Sequence, residues 1–124
     1  MTSLSDVIKK YQLQPRKEGK EEELEVGNSP FYIKITKDDV YKVRIELDKE
    51  RLEELIEELI DEGNTKDDII DTLDEMLDEA IRIAYEIINS LEKQGIEIKS
   101  ELTSSVMDIK DYLIEELEYL EEIS

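Results

Sequence analysis

The stretch FYIKITKDDVYKVRIELDKERLEELIEELIDEG, residues 31–63, changes its apolar period in the middle. Phe31, Ile33 and Ile35 alternate with Tyr32, Lys34 and Thr36. After the Lys37-Asp38-Asp39 turn the alternation returns in Tyr41, Val43, Ile45 and Leu47. A period of two belongs to strands with one buried face. From Asp48 the spacing becomes helical: Leu52, Leu55, Ile56, Leu59 and Ile60 make one stripe, Asp48 suits an N-cap, and Gly63 suits the stop. A connection as short as residues 37–39 allows only antiparallel pairing. Strands followed by helices predict an α+β fold.

The pattern extends both ways from this switch. Upstream, Leu24 and Val26 alternate in a third candidate strand, set off from Phe31 by the Gly27-Asn28-Ser29-Pro30 turn. Residues 14–23, QPRKEGKEEE, hold Pro15, Gly19 and a charge run and read as a linker. Residues 3–13 read as a short helix with Ser3 or Ser5 as cap and Leu4, Val7, Ile8 and Tyr11 on one side. Downstream, Thr65 caps a long helix, with Asp68 completing an approximate capping box. Its apolar stripe runs from Ile69 through Ile70, Leu73, Met76, Leu77, Ala80, Ile81, Ala84, Ile87 and Ile88 to Leu91, before Gly95. Ile96-Glu97-Ile98 reads as an extended link. A last helix spans about Ser100 to Ile123, with Leu102, Val106, Ile109, Leu113, Leu117 and Leu120 on one side.

The expected organisation is therefore a short helix and flexible basic linker over residues 1–21, then one α+β domain over 22–124. That domain has an N-terminal antiparallel three-stranded β-meander (22–47) packed on a C-terminal three-helix acidic body (48–124). Around residues 80–91, Ile83 and Tyr85 flank the main stripe, so the long helix is enclosed there. The enclosure is either the sheet with neighbouring helices or a second subunit.

Charge divides the chain at the same place as periodicity. Residues 1–47 balance nine Lys/Arg against nine Asp/Glu, whereas residues 48–124 hold seven against 26, which is the whole net charge of −19. Such a body repels nucleic acid and anionic membrane and attracts basic proteins and cations. The chain has no Cys and no His, which excludes a disulfide framework, a thiolate nucleophile, and the usual general base and transition-metal ligand. Its four glycines, at 19, 27, 63 and 95, all fall at linkers, turns or helix ends, so no phosphate-cradling loop is present. No apolar run approaches 18 residues, and no signal-peptide core opens the chain, so a cytoplasmic protein is expected. The 41% charged content without Cys resembles that of thermophile proteins.

Helical spacing makes the acidity costly. Residues 48–79 contain nine same-sign pairs four apart, from Glu50–Glu54 to Glu75–Glu79, against one opposing pair, Lys49–Glu53. At about 0.2–0.5 kcal/mol each, they destabilise the helices by about 2–4 kcal/mol at low salt. This points to a positively charged partner, and the expected contact residues are Glu54, Glu58, Asp61, Asp71 and Glu75. The outward positions of the meander, Tyr32, Lys34, Lys42 and Arg44, form a second candidate surface. It is complementary to acidic helices of this chain or of another copy, so a homodimer is reasonable. A lone aromatic among Lys and Arg is a weak signal for direct nucleic-acid binding, and none is expected.

Glu53-Glu54-x-x-Glu57 and Glu75-x-x-Asp78 provide the one constellation with enzymatic potential. Their spacing over residues 53–78 resembles the all-α, MazG-like nucleoside triphosphate pyrophosphatases. That resemblance implies Mg²⁺ or Mn²⁺ held between facing helices for diphosphate cleavage. The chain departs from the family in its leading meander and in having only Lys66 as a basic residue between Glu53 and Asp78. The order short helix, meander, long acidic helices also resembles small acidic secretion-type chaperones, which implies a dimer that binds unfolded client segments. The sequence favours a non-enzymatic acidic interaction module (adaptor, modulator or subunit) that binds a basic protein surface without a cofactor. A carboxylate-metal nucleotide hydrolase and a nucleic-acid mimic that inhibits a DNA- or RNA-binding protein are the alternatives.

Overall fold

The computed structural model describes residues 3–123, with side chains through Glu118; Leu120 of the expected last stripe lies outside the described side chains. The chain is α+β. In order it runs α1 (Leu4–Tyr11), β1 (Gln14–Lys17), β2 (Glu21–Glu25), β3 (Phe31–Lys37), β4 (Tyr41–Leu47), α2 (Lys49–Asp61), α3 (Lys66–Lys93), β5 (Ile98–Ser100) and α4 (Leu102–Ile123). One sheet holds all five strands in the order β1-β2-β3-β4-β5. The first four form an antiparallel meander, and β5 joins β4 in parallel.

Two expectations need correction. The meander has four strands rather than three, because residues 14–17 pair with β2 instead of forming a linker. All four side chains of β1 are exposed, so the strand leaves no alternation in the sequence. Pro15 and a bulge between Pro15 and Lys17 interrupt its ladder, which suits an edge strand. Gly19, at φ +109°, makes the turn into β2. The short helix packs into the common core through Val7, and Leu13 after it is buried there too. The second correction is β5. The extended link lies at 98–100, not 96–98, and is the fifth strand of the sheet.

The inner face of the sheet is apolar by alternation. Leu24 pairs with Ile33, Ile33 with Ile45, and Ile35 with Val43. All five are buried. The 28-residue α3, about 42 Å long, packs against β3 and β4. Its residues Ala80, Ile83, Ala84, Ile87, Ile88 and Leu91 are buried within the single chain by the sheet, α1 and α4, while Tyr85 points outward. The N-caps match the sequence: Asp48 caps α2, and Thr65 with Asp68 makes a full capping box on α3. Ser3 and Asp6 do the same for α1.

β5 covers only part of the β4 edge. Beyond it, Glu101 N–H donates to Val43 O at 2.9 Å, and Ile45 N–H donates to Ser105 Oγ of α4 at 3.1 Å. Ser105 is buried and its own hydroxyl donates to Leu102 O. The helix therefore continues the edge protection by side chain where the strand stops. Ser105→Ala should strand the Ile45 N–H and cost about 1–3 kcal/mol, seen as a lower urea midpoint with unchanged slope.

Backbone and side-chain hydrogen bonds from Thr65 hold the Asp68 carboxyl below its ordinary value, as those from Ser3 do for Asp6. A lowered folded pKa stabilises fully above the unfolded value near 3.9, and that stability is lost as pH falls through the folded value. Amide protection over residues 66–69 should thus drop below about pH 4, ahead of the middle of α3. An equal drop in Asp68→Asn would refute the cap as its cause.

Candidate functional site

The fold separates two charged faces, and they differ in how their charges are paired. On the outer sheet face, Glu23 lies across from Lys34 and Lys34 across from Arg44. Arg16 of β1 reaches Glu23 at 3.3 Å and Asp48 at 3.2 Å, and its guanidinium stands 4.2 Å over the Tyr32 ring. Lys34 meets Glu21 at 3.8 Å; Arg44 meets Glu46 at 2.9 Å and Glu101 at 3.9 Å. Of the expected sheet-face set, Tyr32 is covered by Arg16, and Lys34 and Arg44 are paired internally. Lys42 has no ion pair among the described residues, and Lys99 lies beside it in the β4–β5 register. This face is largely neutralised by its own chain. Burial first, then Glu23 and Glu46, push the Tyr32 hydroxyl above its usual range, with Arg16 opposing them.

The acidic helices are arranged in the opposite way. α2 turns Leu52, Leu55 and Ile56 inward, so Glu53, Glu54, Glu57, Glu58 and Asp61 project to solvent. Arg51 serves Glu54 at 3.6 Å and Glu58 at 3.4 Å, and its Nε donates to Asn28 O, tying α2 to the β2–β3 turn. Among the described residues, Glu53, Glu57 and Asp61 have no cation within ion-pair distance. On α3, the exposed Asp67, Asp71, Asp74 and Asp78 fall at i, i+4, i+7 and i+11 and make one ridge along the helix. None of the four is ion-paired among the described residues. Glu75 lines a shallow cleft with Asn28, Ser29, Thr72 and Glu79 at the β2–β3 turn. The expected contact residues are all exposed on α2 and α3, but Glu54 and Glu58 are partly compensated by Arg51, whereas Asp61, Asp71 and Glu75 have no ion pair among the described residues.

The carboxylate-metal set is not assembled. Among the described residues, no three Asp or Glu side chains are close enough together to hold a metal ion. Glu53, Glu54 and Glu57 project to solvent from α2 and Glu75 and Asp78 from α3, because the buried sides of the two helices are their apolar stripes. The α+β sheet core also differs from the all-α plan that the resemblance to the pyrophosphatases implies.

Sequence reasoning missed a groove between the first half of α3 and the second half of α4. It measures about 390 Å³ and is floored by Ile70, Leu73, Leu113, Ile114 and Leu117. Lys66, Asp74, Lys110 and Glu118 stand at its edges. Ile114 is 57% exposed, which is unusual for an isoleucine flanked by buried and half-buried leucines. The signal lay in Leu113-Ile114 side by side, which widens the α4 stripe beyond what one neighbouring helix covers. Nearby on α4, Lys49 of α2 stands 4.6 Å over the Tyr112 ring. Burial, then Glu116, raise the Tyr112 hydroxyl above its ordinary pKa.

No described helix is long and apolar enough to cross a membrane. Comparisons of the chain with protein-family models, curated proteins and solved structures produced no match.

The unpaired ridge makes stability depend on salt in a direction opposite to that of an ion-paired surface. Raising NaCl from about 0.02 M to about 0.5 M shortens the Debye length from roughly 20 Å to about 4 Å. Repulsion along α2 and α3 should weaken more than the exposed pairs on the sheet. Tm should rise by several degrees, and a fall would mean that the ion pairs outweigh the ridge.

Proposed function

We propose that this protein is a non-enzymatic interaction module, an adaptor, modulator or subunit, whose acidic helical side binds a basic protein surface. One observation carries the reading: the chain pairs most of its sheet-face cations with carboxylates but, among the described residues, leaves the α3 ridge and much of α2 without ion pairs. Helical periodicity fixes where the ridge lies, but a surface charged only for solubility can mix Lys with Asp along it instead of using four aspartates. Clustered like charge raises association rates with an oppositely charged partner and discriminates against anionic ones. The carboxylates meet solvent and one another rather than converging on one point, which supports binding over metal-assisted hydrolysis.

The test compares the wild-type chain with the triple variant Asp61→Lys, Asp71→Lys, Glu75→Lys in pull-downs at about 0.1 M and about 1 M salt. The wild type should retain basic proteins at low salt and release them at high salt. The triple variant should retain them several-fold less at low salt, because it removes three unpaired carboxylates and adds three cations. Equal retention by both chains would overturn the charge-led reading. If the retained proteins bind nucleic acid, the partner is narrowed to proteins built to neutralise phosphates.

A further inference from the structure

The α3–α4 groove has a shape and a surround that narrow the class of partner further, given the proposed binding of a basic protein. Its apolar floor runs along α3 from Lys66 past Ile70 to Asp74, eight positions further on and so about 12 Å away. That length accommodates two turns of a helix, enough for apolar anchors at i, i+3 or i+4, and i+7. On the α3 side Asp74 lines the groove, and it belongs to the exposed ridge of Asp67, Asp71, Asp74 and Asp78 on the same helix. On the α4 side Asp111, Glu115 and Glu118 repeat the i, i+4, i+7 spacing, and all three are exposed. Residues 66–78 and 107–118 together hold eleven Asp/Glu against Lys66 and Lys110, a local net charge of −9.

We infer that this groove is the docking site of a cationic amphipathic helix from a partner protein. An apolar strip between two carboxylate ridges is complementary to a helix with an apolar stripe flanked by Lys and Arg. The same charge opposes a second copy of this chain, since a twofold contact would press two surfaces of −9 together. It equally opposes an anionic membrane or an acidic peptide. Ile114, half out of the floor, is placed to gain most by being covered.

The test uses three fluorescein-labelled peptides on the full chain, read by anisotropy at about 0.15 M salt. The first carries Leu at i, i+3, i+4 and i+7 with Lys elsewhere. The second has the same composition in an order that breaks the stripe. The third has Ser in place of Leu at equal charge. The first should bind about tenfold or more tightly than the other two. Ile114→Gln, at an exposed position that the fold does not depend on, should weaken it by about tenfold, whereas Tyr85→Gln on the far part of α3 should not change it. Amide shifts on binding should gather at residues 66–74 and 110–118.

Equal binding of all three peptides would overturn the groove while leaving the charge-led reading intact. No binding of any of them would overturn both. Tight binding of the first peptide that Ile114→Gln leaves unchanged, with shifts elsewhere, would also overturn the groove. A dimer in sedimentation that Ile114→Gln dissociates would assign the groove to a second copy and overturn the inference.

Discussion

Burial of the inner sheet face against α3 is the contact on which the rest of the molecule depends. Leu24, Phe31, Ile33, Ile35, Val43 and Ile45 on the sheet, and Leu73, Leu77, Ala80, Ala84 and Ile87 on the helix, are all buried. At roughly 1.5–3 kcal/mol for each large side chain removed from water, no other contact in a chain of this size competes with it. Once that stripe faces the sheet, helical geometry sends Asp67, Asp71, Asp74 and Asp78 to the opposite side. The place of the ridge is thus set by the core, while its single sign of charge is not. Its position is fixed by the apolar residues rather than by any contact of its own.

The same packing leaves α3 one uncovered flank. α1 takes one side, where Lys10 and Tyr11 both bond Glu86, and α4 takes the other. The start of α4 is held to β4 by Glu101 N–H and Ser105, so its first half lies against the sheet. Its second half meets the first half of α3 beyond the sheet, and there the two helices have no third described layer to fill the space between them. The groove lined by Ile70, Leu113 and Ile114 lies where the support of the sheet ends.

Sequence periodicity revealed what the core dictates and missed what it does not. β3, β4, α2 and α3, with their caps at Asp48 and Thr65, were legible because each alternates or repeats against a buried face. β1 was illegible because Gln14, Pro15, Arg16 and Lys17 are all exposed, and its pairing rests on backbone groups that leave no mark in side-chain pattern. β5 is three residues long and joins the sheet in parallel after α3, a pairing that depends on where a helix of about 42 Å returns the chain. On the candidate site, the acidic side was read directly from i, i+4 spacing. That the sheet cations are already paired was not, because Arg16 sat in the supposed linker. Arg16 joins Glu23, Asp48 and Tyr32 only after β1 is placed at the edge.

The like-charged pairs along α2 and α3 together set a real demand on the stability of the fold. A cost of about 2–4 kcal/mol at low salt is a large part of the roughly 5–15 kcal/mol that holds a typical domain together. Two features of α3 offset it. Asp67 and Asp68 lie in the first turn and Asp71 just beyond it, where the positive end of the helix dipole favours carboxylates. At the other end, Lys93 in the last turn complements the negative pole. Asp74 and Asp78, farther along, receive little of that help because the dipole's effect fades within about one turn. Asp74 stands at the edge of the groove, and Asp78 follows it one turn along the same ridge. The repulsion least relieved by the described residues is therefore concentrated beside an apolar surface that they leave open. A cationic helix seated there would relieve charge and cover Ile114 in a single contact.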